Sequence, residues 1–371
     1  MGHADIDIQF SHRALELAAK GIGLVSPNPL VGCLIVAESG EVVGEGTYIH
    51  DDVTHAEGIA LEQAGEQAKG GTAYVSLEPH HHQGRTPPCT EALINAGIAR
   101  VVCPIEDPNP LVSGRGFERL RSAGIEVVTG ILAEEAAKQN EKFICWHKKG
   151  RPFVHLKLAM SLDGRISLGR SVSTGLSGEA ALRRVHNLRH EHDAILVGGN
   201  TVAVDDPRLT DRSGKPRRRP LLRVVLDNRL QIPPDSGLVA TAAEIPAIVF
   251  TNSSDTAKKS LLRHSGVDVI EIEKGNLAGV LETLKQRDIQ SVLVEGGAAA
   301  AASFCEARLV DKVTFIISPL IIGGSDAPPA IAGKGAASIA DALSLSGVTA
   351  TQHGEDIEIT GYPFVAEART E

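Results

Sequence analysis

Two short polar segments, each placed at the start of a helix, constrain the fold of this chain more than any other feature. His55 and Glu57 begin an apparent helix whose apolar residues recur at the helical period. Residues two apart do not share one side of a helix, so a metal bound by His55 must lie beyond the helix end, with Glu57 beside it. Cys89 follows two prolines that typically open a helix, and Gly97 is placed to end that helix. Because the helix dipole favours a thiolate at this position, Cys89 suits a zinc ligand.

The spacing of these segments resembles the signature of zinc-dependent nucleobase deaminases, His-x-Glu followed by Pro-Cys. In such enzymes zinc activates a water molecule, and the glutamate moves protons without binding the metal. Residues 78–89 read Glu-Pro-His-His-His-Gln-Gly-Arg-Thr-Pro-Pro-Cys. This longer segment resembles the deaminase domain of the bacterial RibD/RibG family, the bifunctional deaminase–reductases of riboflavin biosynthesis.

The resemblance implies a complete set of roles for the first half of the chain. It implies zinc on His55, His80 and Cys89, with Glu57 as the catalytic proton carrier. It also implies substrate contacts from Asn28, His82 and Arg85. Two positions depart from the family pattern: His80 stands where the family has Cys, and Tyr48 stands where the family has a substrate-contacting His.

Structural alternatives exist for several of these residues. Thr54-x-x-Glu57 also fits a capping box, a pair of side chains that closes a helix start. His81 and His82 could be solvated loop residues. Asn28 could belong to a turn fixed by the prolines on either side of it.

Length and composition indicate a two-domain cytoplasmic protein. The chain has 371 residues, 42% of them hydrophobic, and a net charge of −9. This acidic balance gives no global basic footprint for nucleic acid. No apolar run reaches the ~18 residues of a membrane span, and the first residues lack the features of a signal peptide. Five scattered cysteines do not suggest a disulfide framework.

The resemblance implies that residues 1–147 form a cytidine-deaminase-like, three-layer α/β/α domain, and the alternation of strands with helices agrees with a layered α/β sheet. Ser11 is a plausible cap for a helix over 9–20. Further helices are predicted at 117–123 and 133–142, and strands at 33–36, 42–44, 74–77, 100–103 and 125–128. The basic segment 146–152 ends in Gly and Pro and is typical of a linker.

The second domain is predicted to span residues 151–371 as another α/β fold. Apolar strands are predicted at 153–158, 194–197, 222–226, 247–250 and 291–294. Several of them end in Gly pairs or Asp, and ligands of open α/β sheets bind beyond the carboxyl ends of strands. Gly198-Gly199 and Gly296-Gly297 allow close approach to a pyrophosphate, although a Gly pair alone is more often a turn. A Gly-x-Gly-x-x-Gly fingerprint is absent from this sequence, so a Rossmann domain is not indicated.

Segments 153–165, 189–210, 223–227, 292–297 and 318–324 resemble, in order, the RibD reductase domain, which has a dihydrofolate-reductase-like fold. The resemblance therefore spans residues ~9 to 365, almost the whole chain. It implies NADPH contacts from Ala159, Gly175, Thr201, Asp205 and Asn228, and contacts to the ribosyl-phosphate substrate from Ser173, Arg189, Leu209, Arg212 and Glu295. Many relatives carry Trp where this chain has Gly175. Arg212 could instead form a surface ion pair with Asp211.

Together these features predict two successive reactions of riboflavin biosynthesis on phosphorylated pyrimidines. The first is hydrolytic deamination of 2,5-diamino-6-ribosylamino-4(3H)-pyrimidinone 5′-phosphate. The second is NADPH reduction of the deaminated product, 5-amino-6-(5-phosphoribosylamino)uracil, in which the ribosyl group becomes ribityl. The alternatives are a reductase with an impaired deaminase domain, a deaminase that edits nucleic acid, and a non-enzymatic binding protein. We expect no nucleic-acid or membrane partner, and a homo-oligomer remains possible.

Overall fold

The structure, a computed structural model, describes residues 3–83 and 87–364. The chain divides into two compact units, Met1–Arg151 and Pro152–Glu371. Within the described residues, no helix combines the length and the apolar character that crossing a membrane requires.

The first unit contains a mixed sheet between helices. Its strands are β1 (Gly32–Val36), β2 (Val42–Thr47), β3 (Thr72–Val75), β4 (Arg100–Cys103) and β5 (Glu126–Thr129). Its helices are α1 (His3–Ala19), α2 (Ala56–Ala64), α3 (Cys89–Asn95), α4 (Arg115–Ser122), α5 (Ala133–Gln139) and α6 (Glu141–Lys149). The described strands form one sheet in the order β2-β1-β3-β4-β5. β1 is antiparallel to both neighbours, whereas β3, β4 and β5 are parallel.

Helices cover both faces of this sheet, as the fully buried strand β1 shows. Successive side chains of a strand point to opposite faces. Cys33 and Ile35 accordingly pack in the core that α2, α3 and α4 share with the sheet. Leu34 and Val36 pack in a second core against α1. The first unit is therefore a three-layer α/β/α domain.

The start of α2 agrees with the prediction, whereas the start of α1 and the capping residues suggested for both helices do not. Helix α1 begins at His3, eight residues before Ser11. Ser11 is thus buried within the helix, 4% exposed, and the prediction that it caps the helix is wrong. The capping-box alternative at Thr54 is also wrong, because His55 is the N-cap residue of α2 and no side chain bonds to that end.

The predicted helix over 133–142 is broken at Asn140. Its side-chain amide accepts a hydrogen bond from the Leu30 backbone nitrogen (2.9 Å) and donates one to the Leu30 carbonyl oxygen (3.0 Å). These long-range bonds hold Asn140 buried between α5 and α6. Helix α6 then continues to Lys149 and ends at Gly150, so the first residues of the predicted linker are helical.

The second unit contains a larger sheet whose parallel part is flanked by an antiparallel hairpin. Its strands are β6 (Phe153–Ser161), β7 (Ala194–Gly198), β8 (Leu222–Leu226), β9 (Ala247–Thr251), β10 (Asp268–Glu271), β11 (Ser291–Val294), β12 (Lys312–Ser318), β13 (Ser344–His353) and β14 (Asp356–Phe364). Its helices are α7 (Glu179–His190), α8 (Gly199–Asp205), α9 (Gly237–Ala240), α10 (Thr256–His264), α11 (Leu277–Lys285) and α12 (Ala298–Glu306). Short 3₁₀ helices lie at His50–Asp52 and Gly65–Ala68 in the first unit and at Ile339–Asp341 in the second.

The described strands of this unit are ordered β10-β9-β8-β7-β11-β6-β12-β14-β13. All neighbours from β10 to β12 are parallel, and β12, β14 and β13 are antiparallel. The first strand of the unit, β6, therefore lies inside the sheet beside β11, and β7 lies on the far side of β11. Ligand clefts form beyond the carboxyl ends of strands at such changes of strand order.

Candidate functional site

Two glycines on β2 allow α2 to lie directly on the sheet and so fix the position of its first turn. A Cβ at Gly46 would lie 2.0 Å from the carbonyl oxygen of Ala56, and a Cβ at Gly44 would lie 2.0 Å from that of Ala60. Any side chain at these positions would force the helix away from the strand. The start of α2, with Glu57 in its first turn, depends on this close contact.

The structure brings the three predicted metal ligands together. The donor atoms of His55, His80 and Cys89 all lie within 4.8 Å of one another. Cys89 Sγ is 3.4 Å from His55 Nδ1, and the rings of His55 and His80 are 4.4 Å apart. The backbone nitrogen of Thr90 donates to the carbonyl oxygen of His80. This bond ties the loop of residues 80–82, called the histidine loop, to the start of α3. Two imidazoles and one sulfur form a donor set that zinc accepts.

The electrostatics of the cluster fit a bound cation. Burial and, to a smaller extent, the neighbouring histidines together lower the pKa of His80 to about 4, so its imidazole is neutral at neutral pH. Burial raises the pKa of the Cys89 thiol, and the negative charge of Glu57 raises it further. Metal binding requires neutral imidazole and thiolate. His80 already has the required form, and Cys89 acquires it when a cation offsets the burial of its charge.

Glu57 has the placement expected of a proton carrier. The residue is 3% exposed, and its Oε2 atom has no hydrogen-bond partner among the described residues. A buried carboxylate oxygen without a partner is costly and commonly marks a functional position. Glu57 belongs to the first turn of α2, two residues after the predicted ligand His55.

The predicted substrate residues of this unit have different environments. Asn28 lies in the loop before β1, and its amide nitrogen is 2.6 Å from the hydroxyl oxygen of Tyr48. The His82 ring lies 5.3 Å from that of His80, and its Nδ1 atom is buried without a partner in the described part of the chain. His81 is half-buried, so neither histidine is a fully solvated loop residue. Arg85 lies outside the described residues.

Glu78, the first residue of the matched motif, has a structural role that the sequence did not reveal. Its buried carboxylate accepts hydrogen bonds from the backbone nitrogens of Asp107 (3.0 Å), Gly114 (2.9 Å) and Gly116 (2.8 Å). These bonds hold the loop that follows β4 against Glu78, two residues before His80. Burial, together with the charge of Glu78, raises the pKa of Asp107 to about 6.

In the second unit, a cavity of about 720 Å³ lies at the carboxyl ends of β6, β7 and β11. The predicted ligand contacts among its lining residues are Ala159, Ser173, Thr201, Asp205 and Glu295. A cavity of about 670 Å³ adjoins it and contains the predicted contact Asn228. Gly198 and Asn200 line both cavities, so the two form one extended cleft.

The Gly pairs use their small size in different ways. A Cβ at Gly199 would lie 2.3 Å from the Asp227 carboxyl carbon, and a Cβ at Gly296 would lie 2.7 Å from the Cβ of Ala300. These two glycines are therefore required by packing within the protein. Gly198 faces open space at the cleft and is the glycine that leaves room for a ligand.

A buried ion cluster lies at the end of β11 and was only partly predicted. Arg189 donates to both carboxylate oxygens of Glu295, at 2.7 and 3.0 Å, and Lys157 Nζ lies 3.6 Å from the same carboxylate. Burial opposes ionisation of Glu295, but the two cations outweigh it and hold its pKa at about 2. Burial lowers the pKa of Lys157. Lys157, absent from the predicted contacts, lines the cleft and could have been suspected as a cation on a buried strand.

Leu209, Gly175 and Arg212 are predicted contacts that do not line either cavity. Leu209 packs its side chain in the hydrophobic core, so only its backbone can reach a ligand. Gly175 is exposed, and a Cβ there would meet open space. The proposed pairing of Arg212 with Asp211 is not observed, because the Asp211 carboxylate pairs with His190 (3.1 Å) and Arg217 (3.3 Å). Arg212 is exposed.

Comparison with known proteins covers both units. The family model for the RibD C-terminal domain matches residues 152–359, and that for the zinc-binding region of cytidine and deoxycytidylate deaminases matches residues 4–105. The chain is 41% identical to riboflavin biosynthesis protein RibD of Actinobacillus pleuropneumoniae over 355 residues, covering 95% of this chain and 94% of the relative. It is 40% identical to RibD of Bacillus amyloliquefaciens over 357 residues, covering 95% of each. This chain belongs to the RibD family.

Solved RibD structures share the fold along the whole chain. The structure of Acinetobacter baumannii RibD has a TM-score of 0.87 and 36% identity, covering 98% of this chain and 100% of that one. A Thermotoga maritima structure has a TM-score of 0.84 and 35% identity, with the same coverage. That structure is of a diaminohydroxyphosphoribosylaminopyrimidine deaminase/5-amino-6-(5-phosphoribosylamino)uracil reductase. The predicted RibD resemblance and the predicted two-part α/β fold are confirmed.

Proposed function

We propose that this RibD chain catalyses both predicted reactions, deamination in the first unit and reduction in the second. The deaminase domain would correspond to residues 1–147 and the reductase domain to 151–371. The observation that carries the deaminase half is the convergence of His55, His80 and Cys89 beside the buried Glu57. The substrate would be the diaminopyrimidine ribosylamino phosphate, and we propose action in the cytoplasm without a nucleic-acid partner.

In the first reaction, His55, His80 and Cys89 would hold zinc, which when bound supplies a Lewis acid that lowers the pKa of water to about 7. Glu57 would accept a proton from the attacking water and deliver it to the departing amino group. The water oxygen replaces nitrogen on the pyrimidine carbon, and ammonia leaves. Asn28, His82 and Arg85 would orient the ring and its phosphate.

In the second reaction, NADPH supplies the hydride that reduces C1′ of the ribosyl group to the ribityl product. Ala159, Gly175, Thr201, Asp205 and Asn228 would hold the cofactor. Glu295 would accept hydrogen bonds from the sugar, because Arg189 and Lys157 keep its carboxylate ionised and fixed. Ser173, the Leu209 backbone and Arg212 would bind the remainder of the substrate.

The direct test is turnover by the purified full-length chain. We expect ammonia release from the diaminopyrimidine phosphate, followed by NADPH oxidation when the deaminated product accumulates. NADPH oxidation with supplied product but no ammonia release would support the alternative of a reductase with an impaired deaminase domain. Absence of both reactions would contradict the proposal.

Replacing His80 should remove the metal. We expect about one zinc per chain in the wild type, and His80→Ala should lose both the zinc and ammonia release because two ligands rarely retain zinc. Elemental analysis and an ammonia assay measure the two effects. His81→Ala is the matched control, since His81 is adjacent in sequence but outside the ligand cluster. Zinc retained by His80→Ala, or lost from His81→Ala, would refute the ligand assignment.

Replacing Arg212 should weaken binding of the reductase substrate. Arg189 is engaged by Glu295, which leaves the exposed Arg212 as the proposed partner of the phosphate. Loss of a charge-assisted hydrogen bond in Arg212→Ala should raise the substrate KM by ~10-fold or more, with NADPH affinity unchanged. Lys215→Ala, an exposed cation in the same loop, serves as the control. An equal loss of NADPH affinity would point to a structural role for Arg212.

A further inference from the structure

Tyr48 connects the metal cluster to the predicted substrate residue Asn28. Its ring is 8% exposed and lies edge-on to the ring of His55, with centroids 5.3 Å apart. Its hydroxyl oxygen is 2.6 Å from the amide nitrogen of Asn28. A buried tyrosine usually places its hydroxyl against a polar partner, and here that partner is a candidate substrate contact.

The backbone around Asn28 is already held in place by other bonds. The Asn28 backbone nitrogen donates to the carbonyl oxygen of Val25 (2.9 Å). Two residues later, both backbone polar groups of Leu30 bond to the Asn140 side chain. The Tyr48 backbone nitrogen donates to the carbonyl oxygen of Val31, so the same loop is fixed beside β2. The orientation of the Asn28 carboxamide is the remaining freedom, and Tyr48 restricts it.

An amide orientation matters because the two ends of a carboxamide have opposite hydrogen-bonding character. The nitrogen donates and the oxygen accepts, so a rotation exchanges which group a bound pyrimidine would meet. With its nitrogen directed to Tyr48, the Asn28 amide leaves its oxygen to accept from a ring or amino N–H group. A diaminopyrimidine offers such donors.

We propose that Tyr48 is a positioning residue that orients the Asn28 amide oxygen toward the pyrimidine of the deaminase substrate. This inference rests on the proposed deaminase function. Tyr48 acts through Asn28, so the two residues should contribute to substrate binding as one unit. An amide fixed before binding spares the complex the cost of ordering it.

The decisive experiment is a double-mutant cycle of Tyr48→Phe and Asn28→Ala in the full-length protein. Tyr48→Phe should raise the KM for the diaminopyrimidine phosphate ~3–10-fold, the range expected for one neutral hydrogen bond. We expect kcat to change less than about twofold and zinc content to stay at the wild-type level. In the Asn28→Ala background, Tyr48→Phe should have no further effect on KM.

Tyr74→Phe is the matched control. Tyr74 is 3% exposed and donates to Asp7 at 2.8 Å, but its side chain packs in the core on the α1 face of the sheet. It should lose stability without a change in KM. Additive effects of Tyr48→Phe and Asn28→Ala, an unchanged KM in Tyr48→Phe, or an equal KM increase in Tyr74→Phe would overturn the proposal.

A structural measurement separates this inference from the proposed deaminase function. If the wild type released no ammonia, the function would fail, but the positioning role could still be tested in crystals of wild type and Tyr48→Phe. The proposal expects the Asn28 amide to rotate or occupy several orientations only in Tyr48→Phe. An identical, well-ordered amide in both crystals would overturn it.

Discussion

Glu57→Gln should abolish ammonia release while leaving zinc content and NADPH oxidation at wild-type levels. Glutamine matches glutamate in shape but cannot accept a proton from water and return it to a leaving group. Removing a general acid–base group typically slows a reaction by ~10²–10⁴-fold. Because Glu57 is outside the ligand cluster His55, His80 and Cys89, the metal should be retained.

Glu62→Gln is the matched control for this substitution. Glu62 lies on the same helix, α2, and its side chain is exposed. The same chemical change there should leave both reactions unaltered. If Glu57→Gln kept more than about a tenth of the wild-type ammonia release, another group would carry the proton. If it lost zinc, Glu57 would contribute to metal retention.

The sequence pattern anticipated that His55, His80 and Cys89 lie together, because part of this geometry is set locally. Two of the three proposed ligands, His55 and Cys89, lie at helix starts, and Pro88 and Cys89 mark the start of α3 in the sequence itself. The glycines of β2 that allow α2 to approach the sheet were not recognised as such. Their requirement comes from a helix that follows them in the chain, which no local pattern reveals.

Errors in the predicted elements arise from long-range bonds. A helix over 133–142 agrees with local propensity, yet the bonds between Asn140 and Leu30 divide it. Strand β3 starts at Thr72, two residues before the predicted strand, because its register is fixed by pairing with β1. Tertiary contacts override propensity at both places.

The reductase contacts were harder to predict because two side chains that are both predicted to bind the substrate can bind each other instead. Sequence resemblance places Arg189 and Glu295 at the substrate, but it does not show that they bind each other. Lys157 completes this cluster from β6, which is distant in sequence from both. The partners of a buried charge depend on which strand ends adjoin, and that order appears only in the folded sheet.

Glu295→Gln should both destabilise the protein and impair the reductase. The substitution leaves Arg189 and Lys157 facing each other as buried cations without their anion. Breaking a buried ion pair in this way typically costs ~3–5 kcal/mol of unfolding free energy. Chemical denaturation should show this loss, and NADPH oxidation should fall because the charged carboxylate proposed to accept from the sugar hydroxyls becomes a neutral amide with a single, weaker acceptor oxygen.

The pH dependence of stability provides a second measure of this cluster. The pKa of Glu295 is depressed from its ordinary value of 4.5 to about 2 in the folded protein. The stabilisation from this group is therefore fully present above pH 4.5 and is lost as the pH falls toward 2. Glu295→Gln should flatten the decline of stability across this window relative to the wild type.

Glu358→Gln is the matched control, because it removes another buried carboxylate of the same unit that is absent from the lining of the substrate cleft. Glu358 is 7% exposed and pairs with Arg184 at 3.0 Å and His353 at 2.7 Å. This variant should lose stability, whereas its folded fraction should oxidise NADPH at the wild-type rate. If Glu295→Gln likewise kept wild-type turnover per folded molecule, the carboxylate would serve only to neutralise Arg189 and Lys157. If neither stability nor turnover changed, the three groups would not form a coupled cluster in solution.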